Sequence, residues 1–356
     1  MPMKILLVAT PVGTLQSGQV GGVGLNICNI AKELLKRGHE LTLLAPQGSK
    51  VEGLPIEEVT GALQTSAPKQ ARDAAIVIPP NAVIANLWDR AFTLQNHHHI
   101  IVNFAYDWLP LYIAPLFTTP VLHYVNMSSW LVAMEDVIDR VARYKPGTLG
   151  VHTRAQAETF PHPDIFRILG GGIEVDRYQF QREAGADLAW AGRISPEKGL
   201  EDAIAAAEMT GKRLQIFGYI QDQDYWESLQ NRYPQAQLVY QGFLPTEKFQ
   251  QALGQCQALL MTHKWVEALG RVALESLSCG VPIIAYCRGG PGEIVQDGVS
   301  GFLVEPDSIA GLTMAIANLD KLDRHLCRHR AETEYSLAAL GDRLEGWFKD
   351  VLEQNS

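Results

Sequence analysis

"KILLVAT", residues 4–10, followed by "GGVGLNICNIAKELLKRGHELTLLAP", residues 21–46, is the stretch on which the fold turns. A short unbroken apolar run bounded by turn residues comes first. A glycine-rich turn follows, then apolar residues at three- and four-residue spacing, then a second apolar run. That order predicts strand, helix, strand. Because the strand candidates are apolar throughout rather than alternating, they read as strands covered on both faces, which places the chain among α/β proteins with a parallel sheet. "IIVNFAY" (100–106), "PVLHYV" (120–125) and "GTLGVH" (147–152) extend the series.

Around residues 170–187, "GGGIEVDRYQFQREAGAD" interrupts this pattern with glycines and charge, and "LAWAGRI" (188–194) begins a second series. It continues through "RLQIFGY", "QLVYQGF", "ALLMTHK" and "VPIIAYCRGG", separated by helical stretches such as "PEKGLEDAIAAAEMTG". The prediction is two doubly wound, Rossmann-like lobes in tandem, with the boundary at 172/173. A length of 356 residues with 47% apolar content supports two cores.

Composition excludes several function classes. The net charge is −9; the first 172 residues carry thirteen charges of each sign, so the acidic excess belongs to the remainder. Nucleic acid needs a basic footprint, and an anionic membrane surface needs the same. In the apolar region 100–125, Pro110, Pro115 and Pro120 recur and Asn103 and Asp107 intervene, so it reads as buried core and no transmembrane segment is expected. The N-terminus passes directly into a strand pattern with no cleavage site, and a cytoplasmic location is expected. Five scattered cysteines without a C-x-x-C pair suggest reduced thiols, neither disulfides nor zinc.

In "EALGRVALESLSCG" (267–280), Glu267 and Glu275 stand eight residues apart around a mostly apolar stretch. A helix from Gly270 to Gly280 after the strand "ALLMTHK" would put "WVEAL" in a strand-to-helix loop at the carboxyl edge of a parallel sheet, where open α/β folds bind ligands. On a continuous helix the two acids would be rotated by roughly 80° and separated by about 12 Å, so both can line one groove. Such acids suit the hydroxyls at the two ends of a sugar nucleotide, with the helix N-terminus between them facing a diphosphate. Spacing alone fits equally a helix-start acid and a solvated helical acid. "AGRISPEKGLEDAI" (191–204) adds the second signal: a glycine directly after a strand, then Arg193 and Lys198 across a turn entering a helix. Fixed cations are worth most where charge develops, as it does on a departing diphosphate.

These residues resemble retaining glycosyltransferases of the GT-B fold, glycosyltransferase family 4. "AGRISPEKG" resembles the family's diphosphate-binding turn, "EALGRVALESLSCGVPIIA" its paired-glutamate motif, "GGPGEIVQDGVSGFLVEPD" the turn and strand that follow, and "ILGGGIEVDRYQF" its interdomain hinge. The resemblance implies two Rossmann-like domains with an interdomain cleft: an N-terminal acceptor-binding domain, 1–172 plus 336–356, whose last helix "SLAALGDRLEGWFKDVLEQN" crosses back, and a C-terminal nucleotide-sugar-binding domain, 173–335. It further implies that Arg193 and Lys198 bind the donor diphosphate, Glu267 the transferred sugar and Glu275 the ribose. Backbone amides of Leu269, Gly270 and Arg271 would complete the cradle, and Gly21 and Gly22 form the first glycine loop.

The sequence also departs from the family. Where many relatives carry a histidine six residues after the proline of the "P-V-x" strand, this chain has Asn126, a candidate donor to a sugar hydroxyl. "FAYDWLPLY", "KWVEALG" and "RGGPGEI" resemble the pteridine glucosyltransferases, which move glucose from UDP-glucose to tetrahydrobiopterin. Tyr106, Asp107 and Trp108 are therefore acceptor-side candidates, with Tyr106 and Trp108 either stacking on a flat heteroaromatic acceptor or belonging to the core.

No cofactor and no metal are expected. The consecutive histidines 97–99 point to alternate faces, no D-x-D pair stands at a strand end in the donor lobe, and Lys and Arg take over charge neutralisation. The expected activity is metal-independent retaining transfer of a hexose, with a small-molecule donor and acceptor as partners and the oligomeric state open. The alternatives are a GT-B sugar-nucleotide epimerase and a non-catalytic sugar-nucleotide binder. A nicotinamide dehydrogenase would need an acid at the end of the second strand, where "LLAPQGS" has Pro and Gln.

Overall fold

The computed structural model describes residues 2–16, 22–65, 71–183 and 185–354. The chain divides into two compact units, Met1–Gly172 with Leu337–Ser356, and Ile173–Ser336. Each is built on a parallel sheet, as the unbroken apolar runs require.

In the first unit the strands are β1 (Lys4–Val8), β2 (Glu40–Pro46), β3 (Ile56–Val59), β4 (Ile100–Asn103), β5 (Val121–Val125), β6 (Leu149–Val151) and β7 (Arg167–Ile168), in the spatial order β3-β2-β1-β4-β5-β6-β7. In the second they are β8 (Leu188–Ala191), β9 (Leu214–Phe217), β10 (Leu238–Gly242), β11 (Ala258–Met261), β12 (Ile283–Tyr286) and β13 (Gly301–Val304), ordered β10-β9-β8-β11-β12-β13. The order reverses direction at β1/β4 and at β8/β11. Central strands are buried on both faces: all four residues of β11 and of β12 are buried. Here the α/β, doubly wound reading of each half holds.

The helix Leu337–Gln354 belongs to the first unit although its sequence follows the second. Leu340, Leu344, Trp347, Phe348 and Val351 line its buried stripe and join a core containing Ile5, Leu7, Ile27 and Leu34. Full burial of each large side chain contributes on the order of 1.5–3 kcal/mol. The Trp347 indole donates to the Gly147 carbonyl at 2.7 Å, and Arg37 bridges to Asp342 at 2.8 Å and Glu345 at 2.7 Å. These contacts explain why the last helix docks where it does.

Among the described residues no helix is long and apolar enough to cross a membrane, and no cluster of His, Cys, Asp or Glu could hold a metal ion. His98 pairs with Leu94 and Thr42 while His99 accepts from the Lys4 amide, so these neighbours serve different parts of the fold.

Candidate functional site

The site is assembled where the second sheet reverses its order, at the carboxyl ends of β8 and β11. After β8 the chain enters the turn 192–199. Ile194 is fully buried and anchors it, donating its amide to the Tyr219 carbonyl at 3.0 Å. The short 3-10 helix Pro196–Lys198 ends at Gly199, whose φ of +65° favours glycine. A Cβ there would also lie 2.0 Å from the Thr262 carbonyl oxygen, so the close approach of the two loops requires glycine on a second count. Thr262 Oγ1 donates to the Gly199 carbonyl at 2.7 Å, and the Lys264 amide donates to the Glu197 carbonyl at 2.9 Å. The turn after β8 is thereby fastened to the loop after β11.

That fastening brings Lys198 against Glu267: Nζ and Oε2 are 2.5 Å apart, with only 12% and 18% of the two side chains exposed. His263 adds its Nε2 at 3.3 Å from the same carboxylate oxygen, and the Lys198 ammonium lies 4.8 Å from the centre of the Trp265 ring. Burial opposes ionisation of Glu267, but Lys198, His263 and the Trp265 side chain outweigh it and hold the carboxyl at about 2. Burial, reinforced by the Lys198 charge, pushes His263 down to about 4, so at neutral pH its ring is uncharged. Arg193, from the same turn as Lys198, donates to Gln221 at 2.6 Å and lies 3.4 Å from Glu197. Arg193, Lys198 and Glu267 thus share one corner of the second unit.

Glu275 is held differently. The helix occupies Arg271–Ser278, so Glu275 is helical while Glu267 lies in the preceding loop. The continuous-helix spacing between the two acids therefore does not apply. The Glu275 carboxylate accepts from the Tyr178 hydroxyl at 3.0 Å. Burial raises its pKa, countered in part by the Arg271 charge, by Tyr178 and by the Arg177 charge. Burial and the neighbouring Glu275 charge in turn push the Tyr178 hydroxyl well above the usual phenol range.

Leu269 and Gly270 are buried in the loop entering this helix. Gly270 has a φ of +78°, and a Cβ there would lie 2.9 Å from Pro291. The Gly290 amide donates to the Glu267 carbonyl at 2.7 Å, so the "GGPG" turn braces the loop from below. With the chain reversed at Gly270, the first-turn amides of a helix are the ones left without intrahelical acceptors. An anion placed there would meet N–H groups and the positive end of the helix dipole.

The first-unit candidates are more committed than expected. Asn126 is buried; its Nδ2 donates to the carbonyls of Phe104 at 3.1 Å and Tyr124 at 2.8 Å. Both amide hydrogens are taken, which corrects the expectation of a donor for a sugar hydroxyl: the backbone claims it first. Asp107 caps the helix Trp108–Ile113, accepting from the Leu109 amide at 3.1 Å. Tyr106 is partly buried, and its hydroxyl accepts from the Trp130 amide at 3.1 Å. Trp108 stacks on Tyr112 with ring centres 4.2 Å apart and planes 17° from parallel. Gly22 opens the helix Gly22–Lys36, while Gly21 lies outside the described residues.

Sequence reasoning missed His263, Tyr178, Gln221 and Trp265 as partners of the site. Gln221 and Tyr178 come from other elements, and no local pattern announces them. The one D-x-D spacing in this region, Asp222 and Asp224, stands at the start of the helix Gln223–Arg232, where Asp222 caps by accepting from the Tyr225 amide at 2.9 Å.

Residues 176–334 match the family model "Glycosyl transferases group 1". Glycogen synthase of Mycobacterium tuberculosis is 24% identical over 357 residues, covering 84% of this chain and 82% of the relative. The crystal structure of a glycosyltransferase from Rickettsia africae matches with a TM-score of 0.75 at 16% identity, over 99% of both chains. Anabaena HepE in complex with UDP-glucose matches with a TM-score of 0.72 at 17% identity, over 98% of this chain and 100% of that one. Residues 176–334 of the second unit are thus similar to glycosyl transferases group 1, and the chain has the fold of GT-B glycosyltransferases.

Proposed function

We propose that this chain is a retaining, metal-independent hexosyltransferase that moves glucose from UDP-glucose to a hydroxyl of a small acceptor, giving an α-glycoside. The observation that carries the reading is the Lys198–Glu267 pair, fixed by two fastened loops at the strand-order reversal with Arg193 on the same turn. Arg193 and Lys198 take the donor diphosphate, Glu267 the hexose hydroxyls and Glu275 the ribose hydroxyls. The resemblance of the motifs supports these roles, as does the likeness of the fold to a protein solved with UDP-glucose.

In the proposed reaction the bond from the anomeric carbon to the diphosphate oxygen breaks as the acceptor oxygen bonds to the same face of the sugar. The acceptor's proton passes to the departing phosphate oxygen. Covalent participation by the protein is not needed: fixed positive charge stabilises the leaving group, and hydrogen bonds hold the sugar. Fixed cations on the diphosphate take the charge-stabilising role that a divalent metal would otherwise fill. The acceptor proposed is the hydroxylated side chain of a reduced pterin, tetrahydrobiopterin first, with Tyr106 and Trp108 as acceptor-side aromatics.

Incubation with UDP-glucose and tetrahydrobiopterin, followed by mass spectrometry and NMR of the anomeric proton, tests this directly. An α-glucoside formed in the presence of EDTA is expected. Conversion of UDP-glucose without acceptor would make the chain an epimerase, and binding without turnover across an acceptor panel would make it a binder.

A further inference from the structure

Arg271 is the first residue of the helix Arg271–Ser278 and stands four residues before Glu275, one turn away on the same helical face. Both of its terminal guanidinium nitrogens are buried, and neither has a hydrogen-bond partner. A buried, unpaired guanidinium is costly to keep, because burial removes its water without replacing the lost bonds. The other two cations of the site are occupied: Lys198 is bonded to Glu267, while Arg193 is bonded to Gln221 and faces Glu197. Glu275 is the acid nearest along the helix, yet its hydrogen bond comes from Tyr178, and no ion pair joins it to Arg271 among the described residues. Arg271 therefore carries a planar fork without hydrogen-bond partners, its charge met only at a distance by Glu275, at the end of a helix whose first amides also favour an anion.

We propose that the Arg271 side chain is a third cation on the donor, gripping the diphosphate in bidentate fashion beside the ribose that Glu275 holds. This rests on the donor-site reading above but assigns the side chain a role that only the backbone amide was expected to play. The chemistry is that of guanidinium and phosphate: two parallel charge-assisted N–H···O bonds, which a lysine ammonium cannot reproduce in that geometry. The unpaired fork costs the ligand-free protein stability, and a bound diphosphate would complete it. Arg271 is thus a donor-specificity residue, favouring nucleoside diphosphates over nucleosides.

The test compares wild-type chain with Arg271→Leu and Arg271→Lys, measuring thermal midpoint alone and titration with UDP, ADP, GDP and uridine by calorimetry. For the diphosphate that wild type binds best, Arg271→Leu should weaken affinity about 10- to 100-fold, the scale of a charge-assisted contact. Arg271→Lys should fall between the two. Uridine affinity should change less than about 3-fold, well under the loss for the diphosphate. The ligand-free midpoint of Arg271→Leu should match or exceed wild type, because an unsatisfied buried group has been removed. Equal diphosphate affinity in wild type and Arg271→Leu would overturn the proposal and leave the donor site standing. If no diphosphate bound wild type, both would fall.

Discussion

Replacing Lys198 by methionine removes the charge that keeps Glu267 ionised while keeping most of the side chain's apolar bulk. Glu267 sits at about 2 instead of its ordinary 4.5. A difference of that size corresponds to about 3 kcal/mol of stability at neutral pH, since one pKa unit is about 1.4 kcal/mol. Less than a fifth of either side chain is exposed, so solvent screens the pair weakly. Breaking a buried pair by removing one partner costs on the order of 3–5 kcal/mol, in agreement. Because the shift is downward, this stabilisation is present above pH 4.5 and declines as pH falls towards 2; Lys198→Met removes the part due to Lys198 and leaves that of His263 and Trp265. Glu267→Gln should also destabilise, leaving the ammonium unpaired. The double variant leaves neither charge stranded, so its loss should fall short of the summed single losses by about 2–3 kcal/mol. The assay is urea denaturation of the four proteins at pH 7. Additivity within about 0.5 kcal/mol would refute the claim that these side chains form one coupled unit.

Further expectations concern turnover, pH and the loop. Arg193→Ala and Lys198→Ala should each lower transfer about 10²- to 10³-fold, measured by UDP release, while far-UV circular dichroism stays native. Glu275 titrates in the opposite sense to Glu267: its raised pKa means that its ionised form is disfavoured by folding, so its contribution to stability is present below 4.5 and lost as pH rises through the elevated value. Donor affinity should accordingly weaken on acidification at a pH above the ordinary glutamate range, and Tyr178→Phe, which removes a hydrogen bond to the carboxylate, should move that weakening to higher pH. Affinity of UDP from pH 4 to 8 in both proteins checks this. Gly199→Ala would force a Cβ against the Thr262 carbonyl at a left-handed φ. Loss of transfer with a lower thermal midpoint is expected there, since the fastening of the two loops positions Lys198.

The sequence made the central strands legible because they are buried on both faces and so read as nearly unbroken apolar runs. "IIVNFAY", "PVLHYV", "ALLMTHK" and "VPIIAYCRGG" each contain one, at β4, β5, β11 and β12. The edge strands of the first sheet were not legible: β3 reads "IEEV", whose two adjacent acids break the apolar run, and β7 has only two residues, whereas the edge strand β10 was marked by "QLVYQGF". At the site, Arg193, Lys198 and Glu267 were recognisable because the turn and loop chemistry is local. Their partners were not, since Tyr178 and Gln221 reach the corner from elsewhere in the fold, and His263 stands in a loop with no periodicity to mark it. Asn126 shows the converse limit: a polar residue just past a buried strand reads as a ligand group when its amide is already spent on the Phe104 and Tyr124 carbonyls.

The most direct test of the account is a crystal structure of the full chain with UDP. Phosphate oxygens are expected within hydrogen-bonding distance of Lys198 Nζ and the Arg193 guanidinium, at the N-terminal end of the helix Arg271–Ser278, with the ribose hydroxyls on Glu275. A nucleotide seated away from Arg193 and Lys198 would contradict it.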